Sequence, residues 1–539
     1  MKKIYLSTLV GAFCSLSLFS CSDLDEKVYS SITEQNYQYS ENDFDSTVAS
    51  VYSFMRNLPS EHGYFVAQEV SADGIVMPPN ASGWDDGGVY RRMHYHTWNS
   101  EQTHVGNVWG NFYQGAILCN KVIEQIEEGK VPAASENIKQ QGLAEVRAMR
   151  AFYYWQIMDN FGDAPLVTTT TMELPAKTPR KEIFAFIEQE LKEVIPQLTE
   201  EVSANTYGRM IKWGAKALLA NLYLNAKVYT GEARWNDCLT QCDDIINSGK
   251  YQLASDYKEP FRSVGSESCK EIIFGIPFDS DYGFGNWLYL ISWNAALKDK
   301  FQTEMAPFGA GCAMGVTQFI NTYDERDCRL ADSWLMGEQL KVDGTPCICT
   351  YDKAGQPLVY TKEVPSASFT SETEGYRMNK YEVVPHERWT TNTDIPFYRY
   401  AEVLLMTAEC LLRTNQAGAG ALVTQVRQRA FKEKPELAAV TDAELAGNSC
   451  YEYGYVEDYK IVDKGDTSPV EFGRLYDELG WEFAWEMHRR RDAIRFGVYT
   501  TKSWLSHKPQ GDYRSVFPIP ESVLTSNPKL EQNPNYLSK

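Results

Sequence analysis

The stretch Leu143-Ala144-Glu145-Val146-Arg147-Ala148-Met149-Arg150-Ala151-Phe152-Tyr153-Tyr154-Trp155-Gln156-Ile157 decides the fold class. Its apolar residues Leu143, Val146, Met149, Tyr153 and Ile157 recur every three or four positions, which places them on one face of a helix over 139–158. Three more stripes follow. Ile183, Ile187, Leu191, Val194 and Leu198 come after Thr178-Pro179, read as a cap and a first-turn proline. Ile211, Ala215, Leu218, Leu222, Ala226 and Tyr229 run to Gly231, and Trp235, Leu239, Cys242 and Ile246 run to Gly249. Later helices are expected at about 400–413, 419–431 and 475–496. Consecutive helices with short breaks and Ala/Tyr-rich faces predict stacked hairpins of tetratricopeptide type: a mainly α superhelix.

Two stretches break this pattern, 60–106 and 249–397. They are rich in Gly, Pro, Thr, Ser and aromatics, with short strand-like runs at Glu271–Ile276 and Pro357–Tyr360. Irregular segments of this length in a helical frame are where function concentrates.

Composition narrows the function. The chain has 539 residues, 43% hydrophobic and 23% charged, which excludes a disordered or low-complexity protein. Seventy-two acids against 52 Lys and Arg give a net charge of −20, so phosphate backbones are repelled and nucleic-acid binding is excluded as a function. The 13 Trp, 33 Tyr and 24 Phe suit helix-repeat cores or flat binding surfaces. No G-x-S-x-G, H-E-x-x-H, P-loop or dinucleotide fingerprint is present, and nothing calls for a cofactor.

The N-terminus reads as an address. Met1-Lys2-Lys3 precedes an apolar run from Ile4 to Phe19, the pattern of a signal peptide over residues 1–20. Ser20-Cys21 then resembles a bacterial lipobox, which implies lipidation of Cys21. No later segment approaches eighteen apolar residues, so the acyl anchor is the only membrane attachment expected. The acidic Ser22-Asp23-Leu24-Asp25-Glu26 resembles the surface-export signal of Bacteroidetes lipoproteins, which implies a body facing the cell exterior. Beyond Cys14 and Cys21, ten cysteines are scattered from Cys119 to Cys450. Cys347-x-Cys349 and Cys238-x-x-x-Cys242 lack zinc-type partners, while Cys119, Cys242 and Cys410 lie on apolar helix faces. One or two disulfides are compatible with an oxidising compartment, with connectivity left open.

A series of blocks in order resembles the SusD/RagB family of Bacteroidetes outer-membrane nutrient-binding lipoproteins. After the lipobox come Trp109-Gly110-Asn111-Phe112-Tyr113, Cys119-Asn120-Lys121, Ala144–Tyr154 and Phe161-Gly162-Asp163-Ala164-Pro165. Tyr398–Met406, Glu482-Phe483-Ala484-Trp485-Glu486, Arg495-Phe496-Gly497, Phe517-Pro518-Ile519-Pro520 and Gln532-Asn533-Pro534 follow. Met487 stands where the family usually has glycine, and Ala493 where it has leucine. The resemblance implies a tetratricopeptide-like superhelix with loop-rich insertions: an N-terminal part at 21–248, an irregular insertion at 249–397 carrying part of the binding face, and a C-terminal part at 398–539. It implies a non-catalytic surface protein that captures oligo- or polysaccharides for a SusC-like TonB-dependent transporter. Peptide capture, as in the peptide-importing branch of the family, is the alternative. A glycosidase built on paired carboxylates is a third reading.

A sugar offers an apolar C–H face and a girdle of hydroxyls, so its site needs an exposed aromatic beside carboxylates or amides. Trp84, Asp85 and Asp86 in the Gly/Pro/Asn segment Pro78–Gly88 supply that chemistry, and a tryptophan at the corresponding place belongs to the binding arc of the family's starch-binding prototype. Trp287 and Tyr289, in the glycine-spaced segment Asp281–Tyr289, are the second candidates. Phe308-Gly309-Ala310-Gly311-Cys312 stands where the prototype offers another aromatic. His94-x-His96, read as one face of a strand, with His104 could meet a metal; ordinary polar strand histidines are the plainer reading. Arg489-Arg490-Arg491 reads as a salt-bridged helix face with Glu482, Glu486 and Asp492.

Overall fold

The structure, a computed structural model, describes residues 37–170, 173–279 and 285–536. The expected signal peptide and the expected lipidation site, Cys21, lie outside the described residues. The frame is a succession of packed helices: α1 (Thr103–Glu127), α2 (Glu136–Phe161), α3 (Arg180–Val194), α4 (Lys212–Leu224) and α5 (Trp235–Asn247). Sequence neighbours pack on one another, α1 on α2, α2 on α3 and α4 on α5. The approach of α1 to α2 depends on Gly115, where a Cβ would meet the Tyr153 ring at 2.5 Å. The C-terminal helices α6 (Tyr400–Arg413) and α7 (Ala419–Gln428) continue the stack, α6 lying against α5.

Local chemistry sets the helix ends. The Ser135 hydroxyl caps α2 by accepting from the Ile138 N–H. α3 begins one residue later than its proline suggests: Pro179 occupies the cap position, and the Asp163 carboxylate reaches across to accept from Arg180 N at 2.8 Å. The stripe from Ile211 to Tyr229 divides at Asn225 into α4 and a short helix, Ala226–Thr230, which ends at Gly231 with φ +83°.

The 249–397 stretch is not draped over the frame. It contributes Trp293, Trp334, Tyr360 and Met378 to one hydrophobic core that runs from Phe44 to Ile519. Strand β1 (Ile272–Ile276) pairs antiparallel with β2 (Ile395–Arg399), fixing both ends of the irregular stretch to the start of α6. The other strand-like run, Pro357–Tyr360, forms only a two-residue strand, Val359–Tyr360, paired with Gly337–Glu338.

The segment expected as one helix over 475–496 is two, α8 (Gly473–Phe483) and α9 (Arg489–Arg495). Trp485 and Met487 between them adopt φ +70° and +64°. Left-handed backbone costs an L-residue about 1 kcal/mol, a cost that a glycine at position 487 would avoid. The arginine run is corrected too. All three side chains are buried and find partners outside their own helix. Arg489 holds Asp73 at 2.6 and 3.1 Å, Arg490 pairs with Asp159, and Arg491 lies over the Trp155 ring.

Glu482 and Glu486 instead serve Arg399, which is 1% exposed. Its guanidinium reaches Glu271 at 2.9 Å, Glu482 at 2.7 Å and Glu486 at 2.7 Å, while Arg429 binds Glu271 and Glu482, and Lys380 binds Glu486. Burial alone would raise the Glu482 carboxyl; Arg429, Arg399 and Arg329 outweigh it and hold it well below the usual range. This buried network ties β1, β2, the 380 segment and α8 into one unit. All ten cysteines among the described residues are unpaired, Cys238 and Cys242 lying one helical turn apart at 4.0 Å.

Candidate functional site

The Pro78–Gly88 segment is an ordered turn. Asn80 Nδ2 donates to the Gly311 carbonyl at 2.7 Å, and its Oδ1 accepts from the Ser82 N–H and hydroxyl. Asp86, Gly87 and Gly88 are successive left-handed residues, a course that two glycines and an aspartate can follow. Trp84 is half-buried and leans on Tyr90, ring centroids 4.9 Å apart. The neighbouring carboxylates diverge: Asp85 takes a two-pronged bond from Arg91 at 2.9 and 2.6 Å, and Asp86 meets His62 Nε2 at 2.8 Å. Two acids turned to different partners do not flank one glycosidic bond, so the glycosidase reading has no pair here.

Against this turn sits the Phe308–Gly311 segment. A Cβ on Gly309 would come within 2.6 Å of Ser82 Oγ, so the two segments touch through a glycine at φ +58°. Phe308 is 47% exposed, and 5.7 Å from it stands Trp389, 44% exposed. Exposed rings of this size on ordered loops are where apolar ligand faces stack.

Trp389 is held from behind. The Tyr289 hydroxyl donates to the Arg388 carbonyl at 2.8 Å, and Arg388 pairs with Glu304 at 2.7 Å. Thr391 exchanges two backbone hydrogen bonds with Asn286, next to the half-buried Trp287. The Glu387 carboxylate accepts from the N–H groups of Asn392 and Val384, and burial pushes its pKa up to about 7. Tyr289 is therefore corrected from platform to support: it is 1% exposed and presents no ring face. Trp287 keeps part of its surface in the same loop cluster. Trp389 was missed in the sequence reading; the signal available was a tryptophan in a polar run, His386-Glu387-Arg388-Trp389-Thr390-Thr391, where no core stripe passes.

The histidines do not form a strand face. His94 lies in a helix, Val89–Tyr95, and His96 caps it with φ +55°. His96 lies against His507, ring centroids 4.1 Å apart and planes tilted by 54°, while His104 bonds Gln102 and the Glu61 carbonyl elsewhere. Burial drives His94, His96 and His104 each down to about 3. Among the described residues no three His, Cys, Asp or Glu side chains converge as metal ligands.

Fold and loops together define a class: a mainly helical scaffold displaying an aromatic loop cluster. Residues 300–536 match the SusD family, and residues 24–224 match a family described as starch-binding and associating with the outer membrane. The chain is 26% identical over 445 residues to the starch-binding protein SusD of Bacteroides thetaiotaomicron, covering 75% of this chain and 74% of that one. Among solved structures, NanU of B. fragilis superposes with a TM-score of 0.71 at 22% identity, covering 94% and 99% of the two chains. A surface glycan-binding protein A of B. thetaiotaomicron, solved with laminarihexaose, gives 0.67 at 18% identity, covering 92% and 99%. The chain belongs to the SusD/RagB family. Among the described residues no helix is long and apolar enough to cross a membrane.

Proposed function

We propose that this protein captures a glycan on the cluster of Trp84, Phe308 and Trp389 and does no chemistry on it. Held at the outer membrane by a lipid on Cys21 and facing outward, it hands the glycan to a SusC-like TonB-dependent transporter. The observation that carries the reading is the exposed Phe308–Trp389 pair beside the Trp84 turn, with each ring on a loop fixed by backbone and carboxylate hydrogen bonds. Aromatic faces take the C–H side of a sugar, while Arg91, Asp85, Asp86 and Arg388 supply polar groups at the edges. Relatives named for starch and solved with laminarihexaose support this ligand class.

The test is native affinity electrophoresis of the body from Ser22 against plant, microbial and host polysaccharides, comparing native protein with Trp84→Ala. Selective retardation by one glycan, reduced in the variant, supports capture at this cluster. Retardation by none, with peptides co-purifying instead, would move the function to peptide capture.

A further inference from the structure

A cavity of about 600 Å³, away from the Trp84 cluster, opens beneath a hairpin and uses none of the residues invoked so far. Its roof is β3 (Gly454–Glu457) and β4 (Lys460–Asp463), turned through Asp458 and Tyr459, both left-handed at φ +46° and +65°. The Tyr459 hydroxyl donates to Glu374 at 2.7 Å, and Lys508 pairs with Asp463 at 2.9 Å, so the hairpin is tied at both ends. Val364, Val456 and Leu505 make part of the lining apolar. Gln318 backs it, its amide donating to the Glu452 and Gly454 carbonyls and accepting from Leu505 N.

Charge distinguishes this cavity. Lys362, Lys460 and Lys464 line it, and among the described residues none of the three ammonium groups is ion-paired. In a chain of net charge −20, three lysines gather in the lining of one cavity, although Glu374, bonded to the lining Tyr459, stands behind it. Two carboxylates, Glu363 and Glu452, share the lining, so the excess is a single positive charge. That balance suits a ligand with one negative charge among many hydroxyls. Lysines hold the charge as mobile point donors, and the glutamates accept from hydroxyls. Closely spaced sulfates or phosphates would meet the glutamates and be repelled.

A short run of chain leads from the cavity to the aromatic cluster. From Lys362 the chain runs to Thr370, whose N–H donates to the Pro79 carbonyl at 2.9 Å, beside the Trp84 turn. On the way it exposes Phe369, 51% open. Eight residue steps span at most about 28 Å, a distance an oligosaccharide can cover.

We propose that this cavity is a second carbohydrate subsite that reads a sugar carboxylate, so that the captured glycan contains uronic acid or another carboxyl-bearing sugar. The inference rests on the glycan-capture reading and adds the ligand's charge to it.

The experiment measures calorimetric binding of the body from Ser22 to matched pairs: uronic-acid oligosaccharides and the same oligosaccharides with their carboxyls reduced to alcohols. The acidic member of one pair should bind about tenfold more tightly at low salt, the sum expected from three modest exposed ion pairs. In the variant Lys362→Gln/Lys460→Gln/Lys464→Gln that ratio should fall to about one. Thermal unfolding checks the variant's fold, and Lys460→Gln/Lys464→Gln, both exposed, replaces it if it unfolds. Equal binding of acidic and reduced members by native protein overturns the subsite and leaves capture standing. A preference that survives in the lysine variant also overturns it. Binding of neither member in any pair, together with no retardation by any polysaccharide, sinks both readings.

Discussion

Replacing Trp389 by alanine separates binding from folding at this site. The side chain is 44% exposed. A tryptophan presents about 250 Å², so about 110 Å² stays open in the free protein. A sugar covering half of that removes about 55 Å² from water, which contributes about 1.4 kcal/mol, or about tenfold in Kd. The ring stands beside Phe308 with 44% of its surface open, so folding stability should move by less than about 1 kcal/mol. Calorimetric titration with the glycan retained in electrophoresis gives Kd, and urea unfolding gives stability. An unchanged Kd with an intact fold would refute the assignment of this ring to the site. Weakened binding accompanied by a stability loss above 2 kcal/mol would show that the ring acts as a packing residue.

Two further predictions concern the frame. Arg399→Met should cost about 3–5 kcal/mol in urea unfolding, because it leaves Glu271, Glu482 and Glu486 short of positive charge in a buried setting; a loss under 1 kcal/mol would show that the network contributes little. The pH dependence follows from two opposed sets of buried groups. Burial raises Glu69 and Glu387 to about 7 and Glu402 to about 8, so the folded state holds protons the unfolded chain has lost, and stability should rise as pH falls from 8 towards 4.5. Burial lowers His94, His96, His104, His488 and His507, so below 6.5 the unfolded chain gains protons the folded state refuses, and stability falls by about 1.4 kcal/mol per pH unit for each such proton. Below 4.5 the histidines act unopposed, and Glu478, held at about 2 against its burial by Arg329, Arg427 and Arg474, adds to the loss. Melting temperatures from pH 8 to 4 should pass through a maximum between about 5 and 7 and drop steeply below 4.5; a flat profile down to pH 4 would contradict the buried neutral histidines.

The helical frame was legible in the sequence because each helix buries one stripe, and a stripe at three- and four-residue spacing is a local property. The stops at Gly231 and Gly249 were local as well, both glycines taking left-handed backbone. The Trp84 turn could be read for the same reason: Pro, Asn and Gly forbid regular structure whatever lies around them. Partners could not be read this way. Arg489 faces Asp73, 416 positions away, and helical spacing assigned it instead to acids on its own segment. Tyr289 and Trp389 have similar chemistry in similar glycine- and polar-rich runs, yet one ring is in the core and the other in solvent. Tyr289 lies in a short helix, Leu288–Ser292, that is buried throughout, while Trp389 lies two residues before Thr391, which pairs with Asn286 from a segment about a hundred residues away. The sequence alone determined the mainly α class, the family and the turn that carries Trp84, because periodicity and turn chemistry act over a few residues. Only the tertiary structure decided which aromatics stay exposed, which arginines are buried hubs and which lysines gather around one cavity, because burial and charge pairing depend on long-range packing.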